Sequence, residues 1–493
     1  MYKSILQFIE KDIKEIEKCV ENLLEGKKDA ADLSQKLNES TRNLAAQLVG
    51  EIYETIDQEI RNSITRKEKW RIEKRNEPKE LLDIMGLVRF HRTGYEDKKT
   101  GEYIYLLDRV LGIDGHQRIT LGAAAQILEE AIQTSYRKGG AAASPLDAAS
   151  KQAVKRLVHE TVVEMPMPER KEKKKQRYLH IVADEDHVSA QFWKEKGDLG
   201  KTEQGYKNNT ILSKLICVYE DVIDELKGDS GKHRYRLTGK HYFCGVHKGS
   251  AENERFWQEV SHYIEATYDT EVLERVYIAG DGAPWIKAGC EVLENSRFVL
   301  DKFHMMKYVN QSVTHLKDSA AEVKSELWDY LVGGHKKELK ELYQRILAVT
   351  EKESKREEVK DSLAYFLNQW EGIKIRVEEA GGCWKCCAEG QVSHLLSSRL
   401  SSRPMGWSLL GCHQMSKLRA YQSNGGKIID LLRYQEKQQE IEERRREQEA
   451  IIKELRSRRS GWDYAEQLQA RIPVLENPKS MGVKVLIRRA LEA

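Results

Sequence analysis

The 493-residue sequence has no apolar segment long enough to cross a membrane. Its N-terminus alternates charged and apolar residues and has no uninterrupted apolar core of the kind that a signal peptide requires. Charged residues make up 33% of the chain, as in a strongly hydrated protein. These absences argue against an integral membrane protein and predict a cytoplasmic location.

Cysteine and proline are both scarce, with eight residues of each. Eight irregularly spaced cysteines do not form a disulfide framework in a chain of this length, so we expect reduced thiols. The segment CWKCC (383–387) contains one Cys-x-x-Cys pair, and Cys412 and His413 could complete four zinc ligands. Because only one half of this set has tight ligand spacing, metal-free thiols are the preferred interpretation.

A large excess of either charge is absent as well. The 82 basic and 79 acidic residues leave a net charge of +3, which does not by itself indicate a nucleic-acid-binding protein. Basic residues are concentrated in local runs at 169–177 and 442–459. Each run is typical of either an exposed helix or linker, or of a DNA contact.

The beginning of the chain is predicted to be mostly helical. Residues 1–85 have many heptad-like apolar positions and few glycines. Residues 86–113 then alternate apolar and polar side chains around the turn sequence at 98–101, which predicts a β-hairpin.

A helix-turn-helix-like pattern follows the predicted hairpin. Residues 118–140 have helical periodicity that Gly139 and Gly140 are expected to break, and 144–160 form a second, basic helix. This order resembles a DNA-reading unit, in which Lys151, Gln152 and Lys155 would face the DNA. A pair of packed helices without any DNA role is the alternative.

Beyond a basic, proline-containing linker at 162–177, predicted strands alternate with helices. This alternation predicts an α/β domain with a mixed sheet. A charge-rich helical stretch without strands covers about 305–375, and helical periodicity resumes at 425–459. The predicted strands lie within 178–192, 210–223, 234–246, 276–279 and the start of 296–309, with a helix at 251–268.

Two acids stand at the ends of predicted strands. Asp184 lies in the segment VADEDHV, and Asp281 follows an apolar run and is flanked by two glycines. An acid at the carboxyl end of a strand is often where an α/β sheet displays a functional group, although such an acid can also be only a turn or cap residue. Strand alternation places Asp186 on the same face as Asp184, so either could serve as the first ligand of a site.

Two strand-end carboxylates and a third from a distant helix are the set that two-metal phosphoryl transfer on nucleic acid requires. Mg²⁺ prefers carboxylate oxygens and keeps water and substrate oxygens as its other ligands. We expect Gly280 and Gly282 to keep backbone bulk away from the metals and from the substrate strand.

The segments ADEDHV, GDGAPWIKAG, FVLDKFHMMKY and AEGQVSHLLSSRLSSRPMGWS together resemble the ISLre-type transposases of bacterial insertion sequences, a branch of the Mutator-like DDE transposases. The resemblance covers nearly the whole chain. It implies an α/β ribonuclease H-like catalytic core with an all-α insertion, preceded by a mostly helical DNA-binding region that contains a β-hairpin. The implied regions are 1–85 (helical), 86–165 (DNA-binding), 175–310 (first part of the core), 311–380 (insertion), 381–425 (second part, with the Glu-bearing helix) and 426–493 (charged and helical).

Residue by residue, the resemblance implies that Asp184, Asp281 and Glu389 are the catalytic metal ligands. It implies Mg²⁺ as the cofactor, with Mn²⁺ able to substitute. The partners would be double-stranded DNA, namely the terminal inverted repeats and the target, and a homo-oligomer would form on the ends in the nucleoid of a bacterial cell. Supporting roles are implied or considered for Asp186, His304, His394, Arg399 and Arg403, the two arginines either gripping DNA phosphates or bracing Glu389.

One position departs from the family pattern. The family block reads Glu-Gly-His-Val-Ser-His, whereas this sequence has Gln391 in place of the first histidine. Two alternatives therefore accompany the transposase interpretation: a DNA-binding or scaffold protein that keeps the fold without catalysis, and a nuclease of the same fold without strand transfer.

Overall fold

A computed structural model describes residues 2–164, 172–191, 200–201, 207–227, 232–379, 388–403 and 405–458. The chain divides into two compact units, Met1–Arg433 and Tyr434–Ala493. No helix in the part of the chain that the structure describes is both long and apolar enough to span a membrane.

Helices at the start of the chain lead into a three-stranded antiparallel sheet. A π-helical turn joins the first two helices, and Asp29 begins the third with a reciprocal capping box. The elements are α1 (Lys3–Gln7), α2 (Ile13–Leu24), α3 (Ala30–Asn62), α4 (Ile64–Lys69), β1 (Trp70–Asp83), β2 (Gly86–Asp97) and β3 (Tyr103–Tyr105).

The predicted hairpin is present but is larger than the sequence indicated. Strand β2 pairs with β3 around the predicted turn, and it also pairs along its length with β1. The helical prediction for residues 70–83 is therefore wrong. Leu81 and Val88 of β1 and β2 pack against α3 in one core, and this tertiary packing outweighs the helical preference of the charged sequence.

Four helices complete the N-terminal region: α5 (Leu106–Leu111), α6 (Leu121–Gln133), α7 (Tyr136–Ala141) and α8 (Lys151–Glu160). The side chains of Thr120 and Ser150 cap α6 and α8. The predicted break at the two glycines is displaced, because α6 ends at Gln133 and both glycines lie inside α7. A Cβ on Gly139 would lie 2.7 Å from the Ala131 side chain, so the missing side chain lets α7 approach α6.

A five-stranded mixed sheet forms the centre of the chain, in the order β10-β7-β4-β11-β12. Strand β4 pairs antiparallel with β7 and parallel with β11. The predicted strand at 234–246 is divided at Gly239, which has a left-handed φ of 57°. The strands are β4 (Tyr178–Ser189), β5 (Gly200–Lys201), β6 (Lys207–Asn208), β7 (Thr210–Tyr219), β8 (Asp221–Lys227), β9 (Lys232–Thr238), β10 (His241–Gly245), β11 (Arg275–Gly280) and β12 (Ser296–Leu300).

Helices cover both faces of this sheet and extend beyond its edge. As predicted, the stretch after β12 is entirely helical up to residue 378. The α-helices from residue 249 onward are α9 (Gly249–Thr267), α10 (Pro284–Lys287), α11 (Gly289–Val292), α12 (Lys302–Val313), α13 (Ala320–Val332), α14 (Lys336–Val349), α15 (Glu353–Asn368), α16 (Trp370–Glu378), α17 (Ala388–Val392), α18 (Ser398–Leu400), α19 (Leu409–Ser423) and α20 (Ile428–Arg458).

Alternate residues of β4 enter two different cores. Leu179 and Ile181 pack with α9, whereas Val182 and Val188 pack on the opposite face with α17 and α19. Val158 of α8 belongs to this second core, together with residues of α6. The N-terminal helices and the central sheet therefore share one hydrophobic core. Helices α12–α16 pack around a separate core, to which the sheet contributes Leu300 of β12.

A candidate active site at the carboxyl edge of the sheet

Two predicted ligands lie side by side where β4 and β11 stop pairing. The last pair in register between these strands is Val182 with Ala279, and Asp184 and Asp281 each lie two residues beyond it. Neighbouring strands are about 4.8 Å apart, so this register brings the two acids close together. Val182 and Ala279 both face the core that contains α17, which places the two acids on that face.

Asp184 is a buried carboxyl group in the middle of other charges. Its side chain is 7% exposed, and its Oδ1 accepts a hydrogen bond of 2.8 Å from the backbone N–H of Glu185. Burial raises the pKa of Asp184 to about 7, and the negative charges of Asp281 and Glu389 act in the same direction, while His304 opposes them. The structure therefore places Asp281 and Glu389 within electrostatic reach of Asp184.

The second acid sits in a tight turn. Asp281 Oδ1 accepts a hydrogen bond of 2.8 Å from the N–H of Ala283, which fixes the rotation of the carboxylate. Gly282 has a φ of 91°, and a Cβ on it would lie 2.3 Å from the side chain of Gln369. A Cβ on Gly280 would lie 2.8 Å from the Ala183 carbonyl oxygen. Close packing thus explains both glycines, rather than the expected clearance for metals and DNA.

The third acid comes from a short helix on the same face. Glu389 lies in α17, whose Ala388 and Val392 are buried in the core that also contains Val182 of β4. The side chain of Glu389 is exposed. Because Ala388 is buried and the next residue, Glu389, is exposed, the Glu389 carboxylate points toward solvent at the edge of the sheet.

His304 and Asp301 lie beside these acids at the start of α12. Asp301 caps the helix by accepting hydrogen bonds from the N–H groups of Phe303 and His304, and its Oδ2 is 3.3 Å from His304 Nδ1. Burial opposes the charged form of His304. The hydrogen bond with Asp301 and the charges of Asp184, Asp301 and Asp281 nevertheless raise the pKa of His304 above its usual value. Asp301 is thus a capping residue.

Asp186 lies on the same face as Asp184, as the alternation predicted, but it has different partners. Its Oδ1 accepts a hydrogen bond of 2.9 Å from the Ser401 hydroxyl, and Oδ2 is buried without a partner in the described structure. Burial raises the pKa of Asp186, while the hydroxyls of Ser401 and Ser397 counteract this shift. Asp186 therefore braces the segment after α17, whereas Asp184 faces the other carboxylates.

The donor chemistry of the three acids fits a hard divalent cation. A dication would offset the repulsion that Asp281 and Glu389 exert on the Asp184 carboxylate. Among the described residues, no three His, Cys, Asp or Glu side chains are already arranged as a metal-binding group. The fit consequently rests on the chemistry and shared location of the carboxylates, not on a closed coordination shell.

Two buried arginines connect the segment around Glu389 to α6. Arg399 Nε donates to the carbonyl of Ala131 at 3.1 Å, and its guanidinium lies 4.8 Å from the Trp407 ring centroid. Burial lowers the pKa of Arg399 to about 10. Neither role considered for Arg399, a phosphate grip or an ion pair with Glu389, agrees with this placement. The second arginine, Arg419, was not predicted from the sequence, and it donates to the Ile132 carbonyl at 2.7 Å.

The remaining predicted residues near this segment are more accessible. Arg403 and His394 are both exposed, and the His394 carbonyl accepts a hydrogen bond of 3.1 Å from Arg419. Gln391 Oε1 accepts a hydrogen bond of 2.7 Å from the Tyr242 hydroxyl, so the residue that departs from the family pattern has a definite partner in β10.

The predicted DNA-reading residues lie on α8, away from its buried face. Val154 and Val158 are buried, Lys151 and Gln152 are exposed, and Lys155 is partly buried. The exposed side chains at the start of α8 are therefore polar or basic, as a contact between this helix and DNA requires.

The zinc alternative is only partly within the described residues. CWKCC at 383–387 lies outside them. Cys412 is buried, and His413 Nδ1 accepts a hydrogen bond of 3.1 Å from the N–H of Val246. Both residues are therefore accommodated by packing and hydrogen bonding within the core.

The family comparison covers most of the chain. A model of an uncharacterised protein family, UPF0236, matches residues 27–439. The chain belongs to this family. Several UPF0236 proteins of Caldanaerobacter subterraneus subsp. tengcongensis are 35% identical to it. One aligns over 420 residues, which is 85% of this chain and 83% of the relative. Another aligns over 412 residues, which is 83% of this chain and 82% of the relative.

Two further findings concern these UPF0236 relatives and the solved structures. The name of the first relative joins eleven locus designations of the same organism. Among solved structures, the Drosophila P element transposase strand transfer complex aligns with 66% of this chain and 83% of its own, at a TM-score of 0.20 and 11% identity. A similarity at that score carries no argument about fold or function.

Proposed function

We propose that this UPF0236 protein is a DNA transposase of the DDE type, in which Asp184, Asp281 and Glu389 bind divalent metal ions. The observation that carries the proposal is the gathering of these three acids. Two come from adjacent parallel strands and one from a helix on the same face, and each of the other two raises the pKa of Asp184. A carboxyl group whose pKa is raised by burial and by neighbouring acids, beside the end of a parallel strand pairing, is typical of a functional site.

The sheet supports a ribonuclease H-like core as part of the same proposal. Its central strand β4 carries the first acid, with antiparallel strands β7 and β10 on one side and parallel strands β11 and β12 on the other. The second acid follows β11, and an all-helical stretch separates it from the third. This order of acids and elements is what the family resemblance implies.

The relatives add a separate line of support. Eleven locus designations under one protein name mean that a single genome holds many copies of nearly one sequence. A segment of DNA that copies or moves itself produces this distribution, whereas an ordinary metabolic enzyme has no need of it. We take this multiplicity as support for a mobile element that encodes its own transposase.

The roles of the chain's residues follow from the chemistry of phosphodiester cleavage. Two Mg²⁺ ions would stabilise the attacking and leaving oxygens of the displacement. Asp184, Asp281 and Glu389 would hold these ions, and the protonated form of His304, favoured by the acids around it, would balance part of their charge. Helix α8 would bind the element ends with Lys151 and Gln152.

Three single substitutions test the proposal. Asp184→Asn, Asp281→Asn and Glu389→Gln are expected to fold and to bind end DNA, while Mg²⁺-dependent cleavage falls by orders of magnitude in each, because residues of one site do not act independently. Cleavage of labelled duplexes from the element ends measures the effect. Mn²⁺ should replace Mg²⁺, and Ca²⁺ should allow binding with little cutting.

Glu378→Gln is the matched control, because Glu378 is an exposed residue 3.8 Å from Lys374 on α16. Normal cleavage by all three site variants would contradict the proposed mechanism. Cleavage without joining of the product to target DNA would instead identify a nuclease, and DNA binding without cleavage in the wild type would identify an inactive DNA-binding protein.

A further inference from the structure

The turn that carries Asp281 is held from outside the sheet by the helical insertion. The Tyr365 hydroxyl donates a hydrogen bond of 2.6 Å to the backbone carbonyl of Asp281. Gln369 Nε2 donates to the carbonyl of Gly282 at 3.4 Å. Tyr365 lies in the last turn of α15, and Gln369 is the residue that caps the C-terminus of this helix. The insertion therefore contacts the backbone of the second acid directly.

The position of the Tyr365 hydroxyl is itself fixed by packing. The Tyr365 ring stacks on Tyr308 of α12, with centroids 3.9 Å apart and planes inclined by 20°. The next residue, Phe366, is fully buried in the core of the insertion. Gly282 has the left-handed conformation and is packed against Gln369, so the turn has little freedom to move away from α15.

We propose that Tyr365 is a positioning residue for Asp281, through which the helical insertion sets the direction of the second carboxylate toward Asp184. The hydroxyl fixes the carbonyl of Asp281, and the N–H of Ala283 fixes its Oδ1, so the backbone and side chain of this residue are both oriented before a cation binds. This inference rests on the proposed function, because it takes Asp281 to be a ligand of a divalent cation.

The test is the binding of Mn²⁺ alone to the full-length protein without DNA, measured by calorimetric or spin-resonance titration. Tyr365→Phe removes only one hydroxyl, and Mn²⁺ affinity is expected to fall roughly 3- to 10-fold, as for the loss of one ordinary hydrogen bond. The melting temperature in a chelator should stay close to that of the wild type. Tyr343→Phe is the matched control, since its hydroxyl is 2.8 Å from Ser312 Oγ inside the insertion core. This control is expected to lower stability and to keep Mn²⁺ affinity.

Asp281→Asn distinguishes a failure of the proposed metal site from a failure of the positioning role of Tyr365. If it leaves Mn²⁺ binding unchanged, the proposed metal site itself is wrong. If Asp281→Asn abolishes binding while Tyr365→Phe binds Mn²⁺ like the wild type, the positioning role is overturned and the metal site stands. Equal weakening by Tyr365→Phe and Tyr343→Phe would also overturn the positioning role, because the effect would then come from the stability of the insertion.

Discussion

Asp184 shows how a buried carboxyl group makes stability depend on pH. Its pKa rises from 3.8 to about 7 in the folded protein, mainly through burial. The folded state therefore keeps this proton at pH values where the unfolded chain has lost it. As pH rises through this interval, the free energy of unfolding of the metal-free protein should fall through this group. A buried carboxyl group of this kind lowers the free energy of unfolding when it is ionised, but it places a negative charge at the site.

The prediction is that Asp184→Asn gains stability relative to the wild type as the pH is raised from about 5 to about 8 in a chelator. The expected gain is about 1–4 kcal/mol, because the variant has no proton to lose at this position. Urea unfolding at several pH values measures it. Asp318→Asn, at an exposed position in the insertion, is the control and should follow the wild type. A constant difference between Asp184→Asn and the wild type across this range would contradict the argument.

Strand periodicity could predict which residues share a face, but not which partner each one has. Asp184 and Asp186 were expected on one face, and they are. Only the structure shows Asp186 bonded to Ser401, a residue 215 positions away. Tyr365 and Arg419 could not be predicted for the same reason, since each acts on a backbone carbonyl that is distant in sequence.

Elements with strong periodicity were predictable, and those set by long-range contacts were not. Strands β4 and β7 lie within the predicted ranges, and helix α9 begins two residues before its predicted range, because the apolar residues of these elements recur at the strand or helix period. Strand β1 was assigned to a helix. Its charged sequence gives no strand signal, and its pairing with β2 and packing on α3 determine its conformation.

Helix α8 carries a prediction at the scale of an element. Gln152 is exposed on it, and Gln152→Ala should lower the preference for end DNA over random DNA by about 1–3 kcal/mol if the amide contacts a base. Lys151→Ala and Lys155→Ala should weaken binding to both DNAs and reduce its salt dependence, as phosphate contacts do. Fluorescence anisotropy with both duplexes measures these effects. Lys340→Ala, on the exposed surface of α14, is the control. If all three α8 variants bind both duplexes as the wild type does, the prediction that α8 reads DNA is wrong.

At the scale of the whole molecule, the N-terminal helices and the insertion differ in the elements against which their apolar side chains pack. Ile132 of α6 and Val158 of α8 pack with strands β4 and β7. The other apolar face of these helices packs on Leu82 of β1. In contrast, Leu327, Tyr343 and Phe366 of the insertion pack with one another and with α12. The sequence could not distinguish helices that share a core with the sheet from helices that pack mainly with one another, because both regions consist of amphipathic helices.

The last prediction follows from this difference. A fragment of residues 86–164 loses both β1 and the central sheet, and it should lack a cooperative thermal transition by circular dichroism. A fragment of residues 301–379 keeps the insertion core except for Leu300 of β12 and should melt cooperatively, since its helices bury most of their apolar faces against each other. The second fragment is the control for the first, because the two are similar in length. A cooperative transition in fragment 86–164 would show that helices α6–α8 fold without the sheet, and the shared core would then not be what holds them beside the candidate site.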